Sequence, residues 1–312
     1  MKLSVIISSY QSEKLITACL DALSKQTYTN IEIIVVDANS TDQTLDIIEN
    51  KFPEVILIKN NERIGVGAAL NKGLNIASGD IIAIDFNTDE VADSTWAEEI
   101  ISAHSKWGRG WIIGTTRLSQ NNLVDEYGVK LWKHTGSYHI GKNRKYDPNR
   151  PSEICDFVGL SSFHRSLLKY VRQVDENYIF YGADADFNLR AKLVGFKTRT
   201  NPKAITTHVH SASKSANPIR YYELMTFGLF RLAMIHRKFS DFIYTMGYSL
   251  IYSTTVLLIR SIQAVKNNRL DLNREFYFAI TGRFRGFVRF IKSINISYRR
   301  RKIIQNLIQG RT

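Results

Sequence analysis

The sequence predicts an α/β fold, a doubly wound and mainly parallel sheet with helices on both faces, followed by a C-terminal helical region. Short apolar runs rich in β-branched residues alternate with segments of helical spacing in the first third of the chain, which is typical of a parallel sheet covered by helices. Beyond His210 the pattern changes to almost continuous helix. We therefore predict two domains, residues 1–214 and residues 215–312.

Strands and helices are predicted in alternation. The apolar runs are too short for helices, and they predict strands at residues 4–10, 31–36, 55–58 and 81–85. The intervening apolar spacing predicts helices at residues 12–25, 44–50, 65–77 and 93–103. Ser12 is expected to cap the first of these helices. Residues 111–151 combine short apolar runs with Gly, Asn, Lys and Tyr, which indicates hairpins and loops over the sheet.

Composition narrows the class of protein. Of the 312 residues 44% are hydrophobic, which is enough for one large core or two smaller ones. The two cysteines, Cys19 and Cys155, argue against a disulfide framework or a zinc site and favour a reducing compartment. The N-terminal residues run directly into the first predicted strand, without the layout of a signal peptide.

The positive charge is concentrated at the C-terminus. The net charge is +13, and the stretch from Arg260 to Thr312 carries +11 of it, with 13 Lys and Arg against 2 Asp and Glu. Such a tail favours an anionic partner, either a membrane surface or nucleic acid, and the bland alternative is a solvated helical face. Nothing in the first domain supports nucleic acid, so we predict a membrane surface.

Two C-terminal segments bear on membrane attachment. The 18 residues from Phe242 to Ile259 are uncharged, close to the about 20 apolar residues that a span needs. An interfacial or re-entrant helix, a buried helix and a true span remain open for this run. Residues 276–302 mix aromatic and basic side chains, which fits a helix lying on an anionic leaflet. We expect peripheral or shallow attachment on the cytoplasmic side.

Polar side chains follow several of the predicted strands. Tyr10, Asp37 and Asp89 come after apolar runs, and parallel strands place their carboxyl ends at one edge of a sheet, where α/β folds bind ligands. Asp37 is suited to accept hydrogen bonds from a base or ribose, and Tyr10 to stack on a base. The glycine-bearing segment 63–73 adds a helix entry that would favour phosphate.

The fourth strand ends in a cluster of oxygen ligands. Asp85, Asn87, Asp89 and Glu90 lie within six residues. Closely spaced oxygens of this kind suit Mg²⁺ or Mn²⁺, and such a metal is usually shared with substrate phosphates. The alternative is a polar turn after a core strand.

In order and spacing, residues 3–210 resemble the family-2 glycosyltransferases, which are inverting enzymes of the GT-A fold. The resemblance is carried by Ser4–Tyr10, by residues 26–44 around Asp37 and by residues 71–80. It implies transfer of a sugar from a nucleotide-sugar donor to an acceptor hydroxyl, with Mg²⁺ or Mn²⁺ as cofactor and a glycan or lipid-linked acceptor as partner. The residues that it implies for nucleotide binding are Ser9, Tyr10, Asp37, Asn71 and Asn87.

The resemblance also implies a metal site. The family's DxD motif is best matched by Asn87-Thr88-Asp89, which makes Asp89 the metal ligand. Asn87 stands where Asp is usual, and one extra residue lies between Gly79 and the motif. Asp85 is then either an additional ligand or a strand-end residue satisfied within the protein. His208, rather than His210, matches the histidine that completes the family's metal site.

A second part of the resemblance concerns the acceptor side. Residues 175–190 resemble the segment that carries the catalytic base at a helix start, and Asp184 matches the base. Ala183 replaces the usual Glu, and a helix N-terminal carboxylate without catalytic function is the alternative. Gly159 lies in the matching acceptor-side loop. Asp186 is grouped with it, although its different helix face favours a structural role.

Two other functions remain open at this point. A nucleotidyltransferase also uses an α/β sheet and a metal, but its glycine- and lysine- or arginine-rich N-terminal signature is missing from this sequence. A non-catalytic membrane-associated adaptor that retains the fold is the second alternative. Asn87 and Ala183, the two departures from the family pattern, favour it.

Overall fold

The computed structural model describes residues 1–131, 137–209, 217–247 and 270–308, together with Ile251, Thr255, Ile259 and Ile262. The predicted linker up to residue 216, His210 and parts of the uncharged run 242–259 lie outside the described residues. The chain divides into two compact units. Unit 1 comprises Met1–Lys130, Tyr138–Ile179 and Ala183–His210, and unit 2 comprises Leu131–Ser137, Phe180–Gly182 and Ser211–Thr312. The domain boundary after residue 214 stays a prediction.

Strands and helices alternate along unit 1. The strands are β1 Leu3–Ser9, β2 Ile31–Asp37, β3 Ile56–Lys59, β4 Ile81–Asn87, β5 Glu90–Ala92, β6 Trp111–Ser119, β7 Val124–Glu126, β8 Val129–Leu131, β9 Ser137–His139, β10 Ile154–Cys155, β11 Ser161–His164 and β12 Lys197–His208. The helices are α1 Ile16–Ser24, α2 Thr44–Lys51, α3 Val66–Ile76, α4 Trp96–Trp107, α5 Leu168–Val171 and α6 Ala183–Leu193. Each predicted element is present, with ends that differ by a few residues.

Ten of these strands form one large mixed sheet, and β8 and β9 pair in a separate two-stranded sheet. The order of the large sheet is β10-β12-β6-β11-β4-β1-β2-β3, with β5 on β12 and β7 on β6. The β3-β2-β1-β4 part is parallel throughout, as is the pairing of β12 with β6. β11 runs antiparallel between β4 and β6. The predicted α/β class and mainly parallel sheet are confirmed, and the antiparallel strands come from the later part of unit 1.

Helices cover both faces of this sheet. On one face, α1 and α4 bury Leu20 and Trp96 against Val5 of β1 and neighbouring strand residues. On the other face, Gly73 of α3 lies directly against Ile6 of β1. An added Cβ at Gly73 would collide with Ile6, so glycine permits this close helix–sheet approach. The side chains that alternate along β1 therefore serve two separate helical layers.

A β-bulge interrupts β4 just before the polar cluster. Val5 of β1 pairs with Ala83, but Ile7 pairs with Phe86, so Ile84 and Asp85 together oppose one residue of β1. Asp85 takes a φ of 65°, the left-handed conformation that bulges use. Relative to the family pattern, one extra residue lies between Gly79 and the Asn87-Thr88-Asp89 motif, and the bulge accommodates it. The strand continues to Asn87, two residues beyond the predicted end.

The prediction that Ser12 caps α1 is wrong. The helix begins at Ile16, and Ser12 meets its first residues only through its backbone carbonyl, which accepts bonds from Leu15 and Ile16. The Ser12 hydroxyl instead lies 2.9 Å from the hydroxyl of Thr88. Ser12 therefore ties the loop after β1 to the loop after β4.

The described residues of unit 2 beyond position 216 are almost all helical, as predicted. The helices of unit 2 are α7 Pro218–His236, α8 Leu270–Lys292 and α9 Ile294–Ile308, and residues 239–247 are also helical. Aromatic side chains form its core, in which the rings of Phe230 and Phe242 both pack on Phe290. Phe242, the first residue of the uncharged run, is thus a core residue. None of the described helices has the length and apolarity needed to cross a bilayer.

Candidate active site

The carboxyl ends of β1, β2 and β4 meet at one edge of the sheet. In the strand register Ser9 lies opposite Asp37, and Ser8 lies opposite Asn87. The buried Asp37 carboxylate accepts bonds from the backbone N–H and the hydroxyl of Ser40, at 2.7 and 2.6 Å. The structure therefore brings the strand-end residues predicted for the nucleotide site to the same edge.

Side-chain bonds fix the two loops at this edge. The amide oxygen of Gln11 accepts from the backbone N–H groups of Thr41 and Asp42, while its backbone N–H donates to the hydroxyl of Ser40. Gln11 itself has a φ of 51°, so its backbone adopts the left-handed conformation in the tight turn after β1. These bonds preorganise the loops after β1 and β2 as one surface.

Tyr10 is the exposed aromatic at this edge. Its ring has 39% of its surface accessible, and the guanidinium of Arg63 lies 4.1 Å from the ring centroid. A cation over one ring face is a favourable contact that also fixes the ring. The sequence identified Tyr10 but gave no sign of Arg63 as its neighbour.

Asp89 and His208, the two predicted metal ligands, lie side by side. The carboxylate oxygen Oδ2 of Asp89 is 3.2 Å from Nε2 of His208, although 119 positions separate them in the chain. β5 and β12 pair just beyond, with Glu90 opposite His208. On the other side of the ring, Nδ1 of His208 lies 3.1 Å from Oδ2 of Asp125.

The two carboxylates control the protonation of His208. Burial by itself would lower the pKa of the imidazole, but its bonds to Asp125 and Asp89 outweigh burial and raise that pKa to about 10. A carboxylate on the second ring nitrogen orients a metal-binding histidine and increases its basicity. Asp89 and His208 form a set of one oxygen and one nitrogen donor, which suits Mn²⁺ or Mg²⁺ when phosphate oxygens complete the shell. Within the described ranges, no group of three or more His, Cys, Asp or Glu side chains is arranged to hold a metal without such help.

Arg117 of β6 is a buried hub of ion pairs next to the predicted metal ligands. Its Nε lies 2.6 Å from Oε1 of Glu90, and its Nη1 lies 3.1 Å from Oε2 of Glu126. Its Nη2 donates to the backbone carbonyl of Asp85, at 3.0 Å, and so holds the bulge of β4. Burial opposes the charge of the guanidinium, but Glu90, Glu126 and Asp85 outweigh it and raise the pKa of Arg117.

Gly159 of the predicted acceptor-side loop packs on this hub. Its backbone N–H donates to Oε1 of Glu126. A Cβ added at Gly159 would lie 2.8 Å from Oε2 of Glu126 and closer still to Nη1 of Arg117. The loop can approach the ion pair only because residue 159 has no side chain.

Asp184 stands in the first turn of α6, beside the same charges. Burial raises the pKa of its carboxyl to about 6, the negative charge of Glu126 adds to the effect, and Arg117 opposes it. Asp85 behaves similarly, because burial and the charge of Asp184 raise its pKa to about 8 against the opposing effect of Arg117. A carboxylate with a pKa near neutrality is suited to general-base chemistry.

Two residues grouped with the site are used inside the fold. The amide of Asn71 donates to the carbonyl of Val174 and to Glu176, at 3.0 and 2.8 Å, and accepts from the N–H of Val174 at 2.8 Å. These bonds engage both ends of the amide and give Asn71 a structural role, while its predicted nucleotide contact stays a prediction. Asp186 is fully buried and lies 2.8 Å from Nε of Arg190. This ion pair supports the structural role that its helix face favours, and its place on the acceptor side stays a prediction.

The glycines before and within α3 also have a packing function. The first helical N–H, that of Val66, donates to the carbonyl of Ile179. A Cβ at Gly67 would lie 2.8 Å from the carbonyl oxygen of Asp175. The helix entry that was expected to favour phosphate is therefore closed by the segment 175–179.

Sequence reasoning missed Arg117, Asp125 and Glu126. For Arg117 a signal existed, because a lone arginine inside an apolar strand, in Trp111–Ser119, requires a buried acidic partner. Asp125 and Glu126 lie in the three-residue strand β7, within a polar stretch whose pairing the sequence does not reveal.

Comparison with known proteins places these features in a family. The model of "Glycosyl transferase family 2" matches residues 4–171. A dolichyl N-acetyl-α-D-glucosaminyl phosphate 3-β-D-2,3-diacetamido-2,3-dideoxy-β-D-glucuronosyltransferase of Methanococcus voltae is 22% identical over 275 residues, 83% of this chain and 82% of that protein. The UDP-Glc:α-D-GlcNAc-diphosphoundecaprenol β-1,3-glucosyltransferase WfaP of Escherichia coli is 46% identical over 81 residues, 26% of this chain and 32% of that protein.

A solved structure shares the fold. The mannosyltransferase PcManGT of Pyrobaculum calidifontis, in complex with GDP-Man and Mn²⁺, superposes with a TM-score of 0.58 at 17% identity. The superposition covers 92% of this chain and 87% of that one.

Proposed function

Because the chain belongs to glycosyl transferase family 2, we propose that it is a metal-dependent, inverting hexosyltransferase that uses a nucleotide-sugar donor. The observation that carries the proposal is the convergence of Asp89 and His208, 3.2 Å apart, next to the ion-pair hub that borders Asp184. A metal-ligand pair and a carboxylate of raised pKa are the two groups that displacement at an anomeric carbon requires. Asp89 follows the strand whose end, at Asn87, lies next to the end of β1, and we propose that Asp37 and Tyr10 bind the nucleotide there.

The donor is proposed from this edge and from similar proteins. Asp37 is buried, with Ser40 on its carboxylate, and supports a role in fixing a ribose or base. Tyr10 offers an aromatic face beside Arg63, which suits stacking of a base. WfaP is named for a UDP-glucose donor, and PcManGT was solved with GDP-mannose and Mn²⁺. We therefore propose a nucleotide sugar as the donor of this chain, and the donor panel described below identifies which sugar it carries.

The residues fit a divalent ion between protein and diphosphate. Asp89 and His208 would hold Mn²⁺ or Mg²⁺, with Asp125 orienting the imidazole through its 3.1 Å contact. When bound, the ion supplies Lewis-acid stabilisation of the negative charge on the departing diphosphate. Asn87, at the end of β4, is a neutral side chain where the DxD motif that the sequence resembles usually has Asp, and we propose that it contacts the donor rather than the metal.

Asp184 is proposed as the base. Its carboxylate would take the proton of the acceptor hydroxyl while that oxygen attacks the anomeric carbon of the donor, and the bond to the diphosphate breaks on the opposite side. A single displacement of this kind inverts the anomeric configuration. Gly159 lies against Arg117 and Glu126, two charges that also act on Asp184, which supports the proposal that its loop borders the acceptor.

The acceptor is proposed to be a lipid-linked glycan. The relatives from Methanococcus voltae and Escherichia coli are named for dolichyl phosphate and diphosphoundecaprenol acceptors. The +11 charge of the last 53 residues supports the same setting, since an anionic membrane surface on the cytoplasmic side would attract it.

The test is turnover of a donor panel with and without metal. The purified chain is incubated with UDP- and GDP-linked hexoses, with water as acceptor, in Mn²⁺ or in a chelator. We expect release of nucleoside diphosphate from at least one donor in Mn²⁺ and its loss in the chelator. Release at equal rates in both conditions would refute the proposed metal dependence. The absence of both release from and binding of any donor would favour a non-catalytic adaptor.

A further inference from the structure

The outward face of α8 is apolar. Tyr277, Phe284 and Ile291 are 61%, 67% and 44% exposed, and Ile280, at 38%, lies between them. Their spacing of three, four and seven residues places them on one side of the helix. We call these four residues the α8 outer face. Contiguous exposed apolar side chains usually mark an interaction site.

The opposite side of α8 is already occupied by α7. A Cβ at Gly282 would collide with the carbonyl oxygen of Ile219, and one at Gly286 with that of Glu223, so the two helices touch backbone to backbone. Phe290 is fully buried in the core of unit 2. The helix is therefore apolar on both sides, and packing within unit 2 accounts for only one of them.

Cations flank the α8 outer face. Arg285 and Lys292 directly follow Phe284 and Ile291, and both are exposed. The next helix, α9, continues the pattern, with exposed Arg299 and Lys302 close to exposed Ile296 and Ile303. Between Leu270 and Ile308 the sequence has only two acidic residues, Asp271 and Glu275.

We infer that the α8 outer face inserts into the interfacial region of an anionic lipid bilayer, with Arg285 and Lys292 at the level of the headgroups. An apolar stripe bordered by cations fits a bilayer, whose apolar interior lies beneath an anionic surface. A protein partner would need an apolar groove with an acidic rim, and the high cation density over two consecutive helices favours an extended anionic surface instead. The inference deepens the proposed membrane partner and rests on that proposal.

The test is binding of the full chain to vesicles of phosphatidylcholine with or without phosphatidylglycerol, followed by flotation. Phe284→Ser removes apolar contact and is expected to weaken binding about tenfold while leaving its salt dependence unchanged. Arg285→Gln with Lys292→Gln is expected to weaken binding to phosphatidylglycerol vesicles about tenfold to thirtyfold and to make it less sensitive to salt.

Matched controls come from unit 1. Tyr170→Ser removes an aromatic side chain that is 59% exposed, and Lys25→Gln with Lys51→Gln removes the same charge from exposed positions. Both controls should bind vesicles like the parent chain. Phe284→Trp keeps an aromatic side chain at this position and should therefore bind more tightly than Phe284→Ser. Nucleoside diphosphate release without lipid, measured on every variant, separates this inference from the proposed function.

Three results would overturn the inference. The first is parental vesicle binding by Phe284→Ser, and the second is an equal loss in the unit 1 controls. The third is a parent chain that self-associates in sedimentation experiments and becomes monomeric in Phe284→Ser with no change in vesicle binding, which would assign the α8 outer face to a second copy of the chain.

Discussion

Arg117 is the residue whose replacement should reveal most about how the site is built. Arg117 is only 6% exposed, and Arg117→Met keeps the apolar stem of its side chain while removing the guanidinium. It deletes the 2.6 Å contact to Glu90, the 3.1 Å contact to Glu126 and the bond to the Asp85 carbonyl. Unit 1 would then contain a fully buried Glu90 that has lost its 2.6 Å contact to Arg117 and keeps only the imidazole of His208 as a cationic neighbour.

The magnitude follows from that burial. Removing one partner of a buried ion pair costs about 3–5 kcal/mol, because the remaining group must keep an unpaired charge or take up a proton. This is a large fraction of the free energy of unfolding of a typical protein, which is about 5–15 kcal/mol. Glu90→Gln leaves Arg117 with Glu126 and should cost less. Combining both changes should recover part of the loss, with an interaction free energy of about 1–3 kcal/mol.

The assay is urea unfolding followed by tryptophan fluorescence. Trp96, Trp107 and Trp111 lie in unit 1, so the signal reports mainly on that unit. Four proteins complete the cycle: the parent, the two single variants and the double variant. The reasoning is refuted if the free energy of unfolding of Arg117→Met lies within about 1 kcal/mol of that of the parent. It is also refuted if the losses of free energy in the two single variants simply add in the double variant.

Two further changes test the neighbours of this hub. Gly159→Ala forces a methyl group against Arg117 and Glu126. It is expected to lower the free energy of unfolding by about 1–3 kcal/mol in the same urea assay, because overpacking displaces both side chains. An unchanged urea midpoint would contradict the close approach of residue 159 to this ion pair. Asp125→Asn removes the charge that orients His208 and should weaken Mn²⁺ binding about 10–100-fold, measured by electron paramagnetic resonance. Parental Mn²⁺ affinity in Asp125→Asn would instead separate Asp125 from the metal site.

The strand ends could be predicted from sequence because they depend on local pattern. Apolar runs such as Ile31–Asp37 define buried strands, and parallel strands necessarily bring their carboxyl ends to one edge. The fold class followed from the same alternation. The meeting of Asp89 with His208 was predicted through family resemblance, since no local pattern links residues so distant in the chain.

The remainder of the site depends on pairing between distant segments. Asp85 reads as a strand residue, and only the register of β4 against β1 reveals that it occupies a bulge. Arg117 meets Glu90 and Glu126 because the short strands β5 and β7 pair with β12 and β6, which are neighbours in the sheet. The contacts of Asn71 could not be predicted either, because its motif position indicates a nucleotide ligand and gives no sign that its amide holds the segment at Val174.

The most direct test of the account is the activity of Asp184→Asn. The change nearly preserves shape but removes the ability to accept a proton, and general-base catalysis contributes about 10²–10⁴-fold. With Mn²⁺ and the best donor of the panel, kcat for transfer or hydrolysis should fall by about that factor, while the donor Kd from calorimetry stays within a few-fold of the parent. In the parent, activity should also decline as the pH falls through about 6, the pKa at which Asp184 takes up its proton, and Asp184→Asn should lack this decline. Parental turnover by Asp184→Asn would contradict the assignment of the base and, with it, the central claim.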